Sequence, residues 1–264
     1  TSEGHVLGSK YLRFFLGIAV GAILLYLSLK NVSWAEVKDE FENIHYVWIF
    51  VALIFYWIEL TVRVGRWRLL LSRLNLPIEA SKISLAFISG CAANNVLPAK
   101  LGEAFRADLL GRLTNISRMT IFGSIIVERL ADMIAILGMV AWGILLISTI
   151  HVDTVSDINK GLALLTTVIA FLIIAVYFLS TKKPRFLSVR LKAVELSVHN
   201  LIQGLYPIKD PRTVVRLLGS TAIIWTLNCL AIWSIMAALD IELSINQTIL
   251  LVGITGIATA IPAA

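Results

Sequence analysis

Apolar runs divide the chain. They can be read at Leu12–Leu29, Val47–Val62, Ile83–Leu97, Met119–Ile150, Gly161–Leu179, Leu217–Leu239 and Thr248–Ile261. Several are long enough to cross the roughly 30 Å hydrocarbon layer, which takes about 20 helical residues. The predicted fold is an all-α polytopic membrane protein with six to seven hydrophobic helical segments. With no low-complexity stretch and no long linker, residues 1–264 read as a single integral membrane domain. Residues 186–205 differ in kind. Val189, Leu191, Val194, Leu196, Val198, Leu201, Ile202 and Leu205 include helical spacings between basic flanks. That pattern predicts an amphipathic helix lying in the cytoplasmic interface, with a plain cytoplasmic connector helix as the alternative.

Charge orients these segments. Eighteen of the 23 basic residues fall in one set of loops: before the first run, between Arg63 and Lys82, between Arg106 and Arg118, and between Lys182 and Arg216. The opposite loops hold Lys30, Lys38 and Lys160, with most of the loop acids. Basic residues collect on the cytoplasmic side, so the N-terminus is expected to be cytoplasmic, in the cell (plasma or inner) membrane.

The same count makes Ile83–Leu97 unusual, because both of its flanks are basic. Fifteen helical residues would cover only about 22 Å. A re-entrant hairpin that enters and leaves on the cytoplasmic side satisfies both facts. Its break is read at Asn94-Asn95-Val96-Leu97-Pro98-Ala99-Lys100-Leu101-Gly102-Glu103, since Pro98 disfavours helix before it and suits the first turn of a new one. Irregular backbone at membrane depth is tolerated where it lines a wet cavity. The end of the chain is similar: Ile88-Ser89-Gly90 leads to Pro98, and Ile254-Thr255-Gly256 leads to Pro262. Broken segments entering from opposite faces would form an inverted repeat. The alternative is the ordinary likeness of Gly/Ala/Pro-rich membrane helices. Gly17 and Gly21 form a GxxxG match in the first run.

Composition sharpens the class. The chain is 58% hydrophobic and 15% charged, with a mean hydropathy of +0.85. A soluble domain is about 25% charged. A disordered chain is excluded and a soluble enzyme disfavoured. The +6 net charge and pI of about 9.4 are explained by the basic loops, so no nucleic-acid partner is expected. Cys91 and Cys229 lie in apolar stretches with no pairing signal, and the four histidines are scattered. Neither a disulfide, a metal nor a cofactor is expected. The chain begins at Thr1 and stops inside an apolar segment at Ala264, as expected for part of something longer.

Ionisable residues at membrane depth are functional candidates. Asn94, Asn95, Lys100, Glu103 and Arg106 lie on or beside the hairpin break and would hold a lipid headgroup. Glu103 with Arg106 and Asp108 with Arg112 have pairing spacings. The alternative is internal pairing that only makes the hairpin tolerable. Glu128 and Asp132 share a helix face, with Arg129 turned away; they could bind a cation, accept a proton or pair with arginines of the hairpin, the last being favoured. Glu59 and Arg63 can pair, while Arg66-Trp67-Arg68 reads as an interfacial anchor. Pro98, Gly102 and Pro262 are the expected helix breaks. No nucleotide-binding loop or nucleophile elbow appears.

The run Asn95-Val96-Leu97-Pro98-Ala99-Lys100-Leu101-Gly102-Glu103-Ala104-Phe105-Arg106, followed by Val127-Glu128-Arg129-Leu130-Ala131-Asp132, resembles the lysylphosphatidylglycerol synthase transmembrane-region family. That family shows a Leu-Pro, basic, x-Gly-Glu-x-x-Arg run and then Glu-Arg-x-x-Asp in the next helix. Lys100 stands where arginine is more usual, which keeps charge but loses a bidentate fork. The family usually continues past the final proline with a Gly-rich run and an acidic residue, which this sequence does not contain. The resemblance implies a flippase-like membrane domain, not an enzyme. It would move an anionic or aminoacylated phospholipid, or an isoprenoid-linked lipid, between leaflets. Partners would be membrane lipids with anionic headgroups, a further copy of the chain, or a separate lipid-modifying enzyme. The rival readings are an intramembrane lipid-modifying enzyme, with Glu128 or Asp132 as base, and a non-catalytic scaffold subunit.

Overall fold

A computed structural model describes residues 41–74, 78–96, 101–146 and 192–260, with isolated positions at 26, 27, 30, 33, 38, 163 and 167. Apart from Tyr26, Leu27, Ala163 and Thr167, the predicted runs Leu12–Leu29 and Gly161–Leu179 lie outside these residues, as do Pro98, Lys100 and Pro262. The described residues form α1 (Tyr46–Ser72), α2 (Ala80–Val96), α3 (Gly102–Thr114), α4 (Arg118–Leu146), α5 (Lys192–Gly204), α6 (Pro211–Ala238) and α7 (Ile245–Ala260), with one 3-10 turn at Tyr206–Lys209. No strand occurs among them. α1 and α6 are each long and apolar enough to cross a membrane.

α1 and α6 form the central antiparallel pair. His45 N–H donates to the Ala238 carbonyl at one end, Trp48 meets Trp233 edge-on, and Glu59 meets Asn228 further along. At the other end Arg66 meets Thr221 and Arg73 meets Asp210. α4 runs antiparallel to α1, with Trp67 opposite Ser124 and Arg66 opposite Asp132. α7 then lies antiparallel along the second half of α4 through small-residue contacts: Gly143 on Leu250, Gly253 on Val140 and Gly256 on Ile136. Backbones can approach closely there because no Cβ intervenes.

α2 and α3 pack as an antiparallel helical hairpin. Ile83, Ala86 and Phe87 of α2 share a buried cluster with Ala107 and Leu110 of α3 and with Trp67 and Leu71 of α1. At 17 and 13 residues the two arms reach about 25 and 20 Å, short of a full crossing. Their closest approach is at Gly90 and Gly102; a Cβ at Gly102 would overlap the Gly90 carbonyl and the Asn94 side-chain amide. α3 ends at Asn115, whose φ of 58° is the left-handed conformation that asparagine tolerates at a helix end.

The end of α1 differs from the hydrophobic pattern. The run ending at Val62 is extended by ten residues, so that Arg63, Arg66 and Arg68 lie within α1 and not in the loop after it. The charges end the apolar run without breaking the helix, because arginine is a good helix former and Glu59 supports Arg63 one turn on. The amphipathic segment 186–205 is described as helix from Lys192 onward. It sits on the first turns of α4, where Gly204 and Gly123 bring the two backbones together.

Caps fix the starts of α6 and α7. Ser244 and Gln247 form a reciprocal capping box at α7. Asp210 caps α6, accepting from the Thr213 hydroxyl at 2.7 Å and the Arg212 N–H at 3.2 Å, with Arg73 3.4 Å away. These contacts, Thr213 first, hold its carboxyl below the ordinary aspartate range. A lowered folded-state pKa makes this contribution complete above the unfolded value, about 3.9, and lost as pH falls through the folded value. Asp210→Ala is therefore expected to lower the thermal midpoint in detergent at pH 7. The gap between parent and variant should close as the solution is acidified below the carboxylate range; a gap that persists there would show that the cap is not the source.

Candidate functional site

A cavity of about 240 Å³ opens where the hairpin meets α1 and α4. α1 contributes Tyr56, Glu59, Leu60 and Arg63, which span about two turns of one helix face. α2 contributes Phe87, Gly90, Cys91 and Asn94. α3 contributes Gly102, Glu103 and Arg106, and α4 contributes Arg129.

In and directly behind this wall six ionisable side chains alternate in sign across three helices. Glu103 Oε1 lies 2.6 Å from Arg129 Nε as an ion pair, and Arg129 Nη1 lies 3.6 Å from Asp132. Asp132 receives both terminal nitrogens of Arg66, at 2.7 and 3.1 Å. Arg66 Nε stands 3.5 Å from Glu128 Oε1, and Glu128 Oε2 accepts from Arg106 Nη2 at 2.5 Å. Arg66, Arg106, Glu128 and Asp132 are all buried. Helical spacing produces this array: Ser124, Glu128 and Asp132 fall on one stripe of α4, and Glu59, Arg63 and Arg66 on one stripe of α1. Three arginines balance three carboxylates, which is what makes burial of so many charges tolerable.

Arg106 is the point where network and cavity meet. Its guanidinium lies 4.1 Å from the Trp67 ring centroid and 4.9 Å from that of Phe87. The two aromatic faces stabilise the cation and leave its edge for other partners. One nitrogen is taken by Glu128, while Nε is buried with no hydrogen-bond partner. The side-chain oxygen of Asn94 is likewise buried and unmatched. A buried polar atom without a partner costs about 1–3 kcal/mol, so both atoms favour a ligand that would satisfy them.

The sequence-predicted residues divide as follows. Asn94, Glu103, Arg106, Arg129, Glu59, Arg63 and Gly102 line the cavity, with Arg66, Glu128 and Asp132 directly behind it. Asn95 is exposed and outside the lining. Asp108 pairs with Arg112 at 2.7 Å and with Arg118 at 2.9 Å, at the α3–α4 elbow and away from the cavity. Glu103 meets Arg129 and not its own-helix neighbour Arg106, because Arg106 is drawn between the aromatic rings toward Glu128. Arg66 and Trp67 are not interfacial anchors: both are buried, with the Trp67 indole donating to Ser124 Oγ at 3.1 Å. Three participants were not anticipated. Thr221 accepts from Arg66 at 2.8 Å, Asn228 donates to Glu59 at 3.3 Å, and Phe87 shelves Arg106. Thr221 and Asn228 lie two turns apart in an otherwise apolar run, and that spacing was the available signal.

The family model described as the lysylphosphatidylglycerol synthase transmembrane region matches residues 14–264. The chain belongs to this family. Within it the chain is similar to the UPF0104 membrane protein MJ1078 of Methanocaldococcus jannaschii, 28% identical over 64% of this chain and 70% of that protein. It is also similar to the UPF0104 membrane protein PH1989 of Pyrococcus horikoshii, 24% identical over 66% of this chain and 51% of that protein. No solved structure matches. Family membership makes this an integral membrane protein. Of the two family motifs, Gly102, Glu103 and Arg106 of the first line the cavity from α3, and Arg129 of the Glu-Arg-x-x-Asp motif lines it from α4.

Proposed function

We propose that this chain is a flippase-like lipid transporter. The cavity admits the headgroup of an anionic or aminoacylated phospholipid, or of an isoprenoid-linked lipid, from one leaflet and lowers the cost of its crossing. The observation that carries the reading is the buried Arg106 edge, with Nε unpartnered in a cavity between paired charges. A phosphate oxygen is the complementary acceptor, since arginine recognises phosphate through its planar fork. Arg63 and Arg129 stand at the rim and would receive the headgroup first, while Glu59 and Glu103 accommodate any positive group it carries. Mixed lining of this kind suits a headgroup with both charges. The family description, naming a lysylphosphatidylglycerol synthase membrane region, supports a lipid as cargo. In this reading the α2–α3 hairpin is re-entrant from the cytoplasmic side of the inner membrane, the N-terminus is cytoplasmic, and a separate enzyme supplies any modified lipid. Asp132 holds Arg66 in place, and Glu128 is the counterion of Arg106.

The test is native mass spectrometry of gently purified protein beside Arg106→Ala. The parent is expected to retain one lipid class above the bulk membrane composition, and the variant to lose it at equal protein yield. Bulk lipid alone on both would remove the headgroup site. A fall in yield without a change in lipid would instead favour the scaffold reading, for which the mutual ion pairing of Arg66 and Arg106 with Glu128 and Asp132 is the supporting observation. A covalently altered lipid that disappears with Glu128→Gln would favour the enzyme reading.

A further inference from the structure

Glu128 faces two arginines but satisfies one. Its Oε2 accepts from Arg106. Its Oε1 is buried without a hydrogen-bond partner, 3.5 Å from Arg66 Nε, which is also buried and also unmatched. Arg66 is ion-paired with Glu128 across that gap, while its other nitrogens are hydrogen-bonded to Asp132 and Thr221. The contact between Glu128 and Arg66 is therefore an unmade hydrogen bond between two groups that each need one. Arg106, a cavity-lining residue, has the reverse problem: it holds Glu128 with one nitrogen while its buried Nε has nothing.

We propose that Glu128 is a movable counterion that neutralises Arg106 while the cavity is empty and transfers to Arg66 when a phosphate anion takes Arg106. The exchange conserves pairing in both states. Before it, Arg106 is neutralised by Glu128, and two buried nitrogens and one oxygen lack partners. After it, the anion accepts from Arg106 Nε and Nη2, and Glu128 Oε1 accepts from Arg66 Nε. A fixed counterion would compete with the headgroup throughout; a permanently absent one would hold the headgroup too tightly to release it. Return of Glu128 to Arg106 supplies the competition that ejects the cargo. Trp67 and Phe87 keep the guanidinium in place through both states, since their contact does not depend on which anion is present. This inference rests on the reading that an anionic headgroup enters the cavity.

The experiment uses the full chain in phosphatidylcholine vesicles. Binding and outer-to-inner crossing of fluorescent phosphatidylglycerol are measured, with fluorescent phosphatidylcholine as control. Glu128→Gln removes the competing charge and is expected to tighten phosphatidylglycerol binding about tenfold, the worth of one charge-assisted hydrogen bond, while slowing its crossing. Arg66→Lys keeps the charge opposite Asp132 but deletes Nε, so Glu128 has no place to go and binding should weaken. Opposite shifts in affinity from two adjacent buried positions are not produced by loss of structure, which lowers both. Shifts in the same direction, or none, overturn the exchange. Should Glu128→Gln fail to fold, weaker binding by an Arg66→Lys protein that unfolds at the parent's midpoint supports the exchange, and unchanged affinity overturns it. A parent that binds the two lipids equally sinks the headgroup site and the exchange together, whereas a selective parent with variants that do not diverge sinks the exchange alone. Glycerol phosphate titrated in place of lipid separates the sources of the anion: divergence with it keeps the exchange and assigns a soluble phosphate compound as the occupant.

Discussion

Arg66→Met is expected to destabilise the folded protein by about 3–5 kcal/mol, the usual cost of removing one partner from a buried ion pair. Asp132 would keep only the 3.6 Å approach of Arg129, and the Thr221 hydroxyl oxygen would lose its donor. Little water is at hand to replace them, since Arg66, Asp132 and Thr221 are all buried. Unfolding in mixed micelles of increasing SDS fraction measures the loss. The double variant Arg66→Met/Asp132→Leu should recover most of it, because the stranded carboxylate goes with its partner and apolar groups of similar volume can fill the space. A single variant as stable as the parent would mean that the α1–α4 contact is not a buried pair.

Trp67→Ala should cost a similar amount, about 3–5 kcal/mol, for a different reason. The ring is fully buried and shared by three helices: it packs with Phe87 of α2, lies against Arg106 of α3 and donates to Ser124 of α4. Its loss leaves a void that the surrounding helices only partly close. It also removes the nearer of the two aromatic faces that hold Arg106. Trp67→Phe fills most of the volume without the indole N–H and should recover more than half of the stability. The same micelle titration checks both variants; equal losses for Phe and Ala would show that the Ser124 hydrogen bond, and not packing, dominates.

Both predictions concern residues whose role was hidden in the sequence. Arg66-Trp67-Arg68 directly follows an apolar run, and a tryptophan flanked by arginines at that place has the composition of a membrane-interface anchor. The reading failed because composition does not report which neighbour lies across the helix. Glu128 and Asp132 were more legible: four residues apart on an apolar helix, they share a face, and paired arginines were their favoured partners. Which arginines was another matter. Arg106 comes from the hairpin, as favoured, while Arg66 comes from a helix whose extent the hydropathy pattern cut short. The i,i+3 spacing of Glu103 and Arg106 allowed a pair that the fold does not make, since a distant arginine and two aromatic rings offered each of them a better partner.

The sequence by itself determined the class of the molecule, its all-helical character, the shortness of the hairpin segment and the set of charged residues around it. These follow from local properties: burial energy scales with apolar area, helical periodicity fixes which side chains share a face, and a charge at membrane depth must be compensated. The tertiary structure alone decided which charges meet, that α1 carries Arg66 into the core, and that Gly90 and Gly102 let the hairpin close around a cavity. It also decided that Arg106 Nε, Arg66 Nε and Glu128 Oε1 are left unmatched. Those outcomes depend on how several helices pack at once, and a pairing energy acts over a few ångströms in space whatever the separation along the chain.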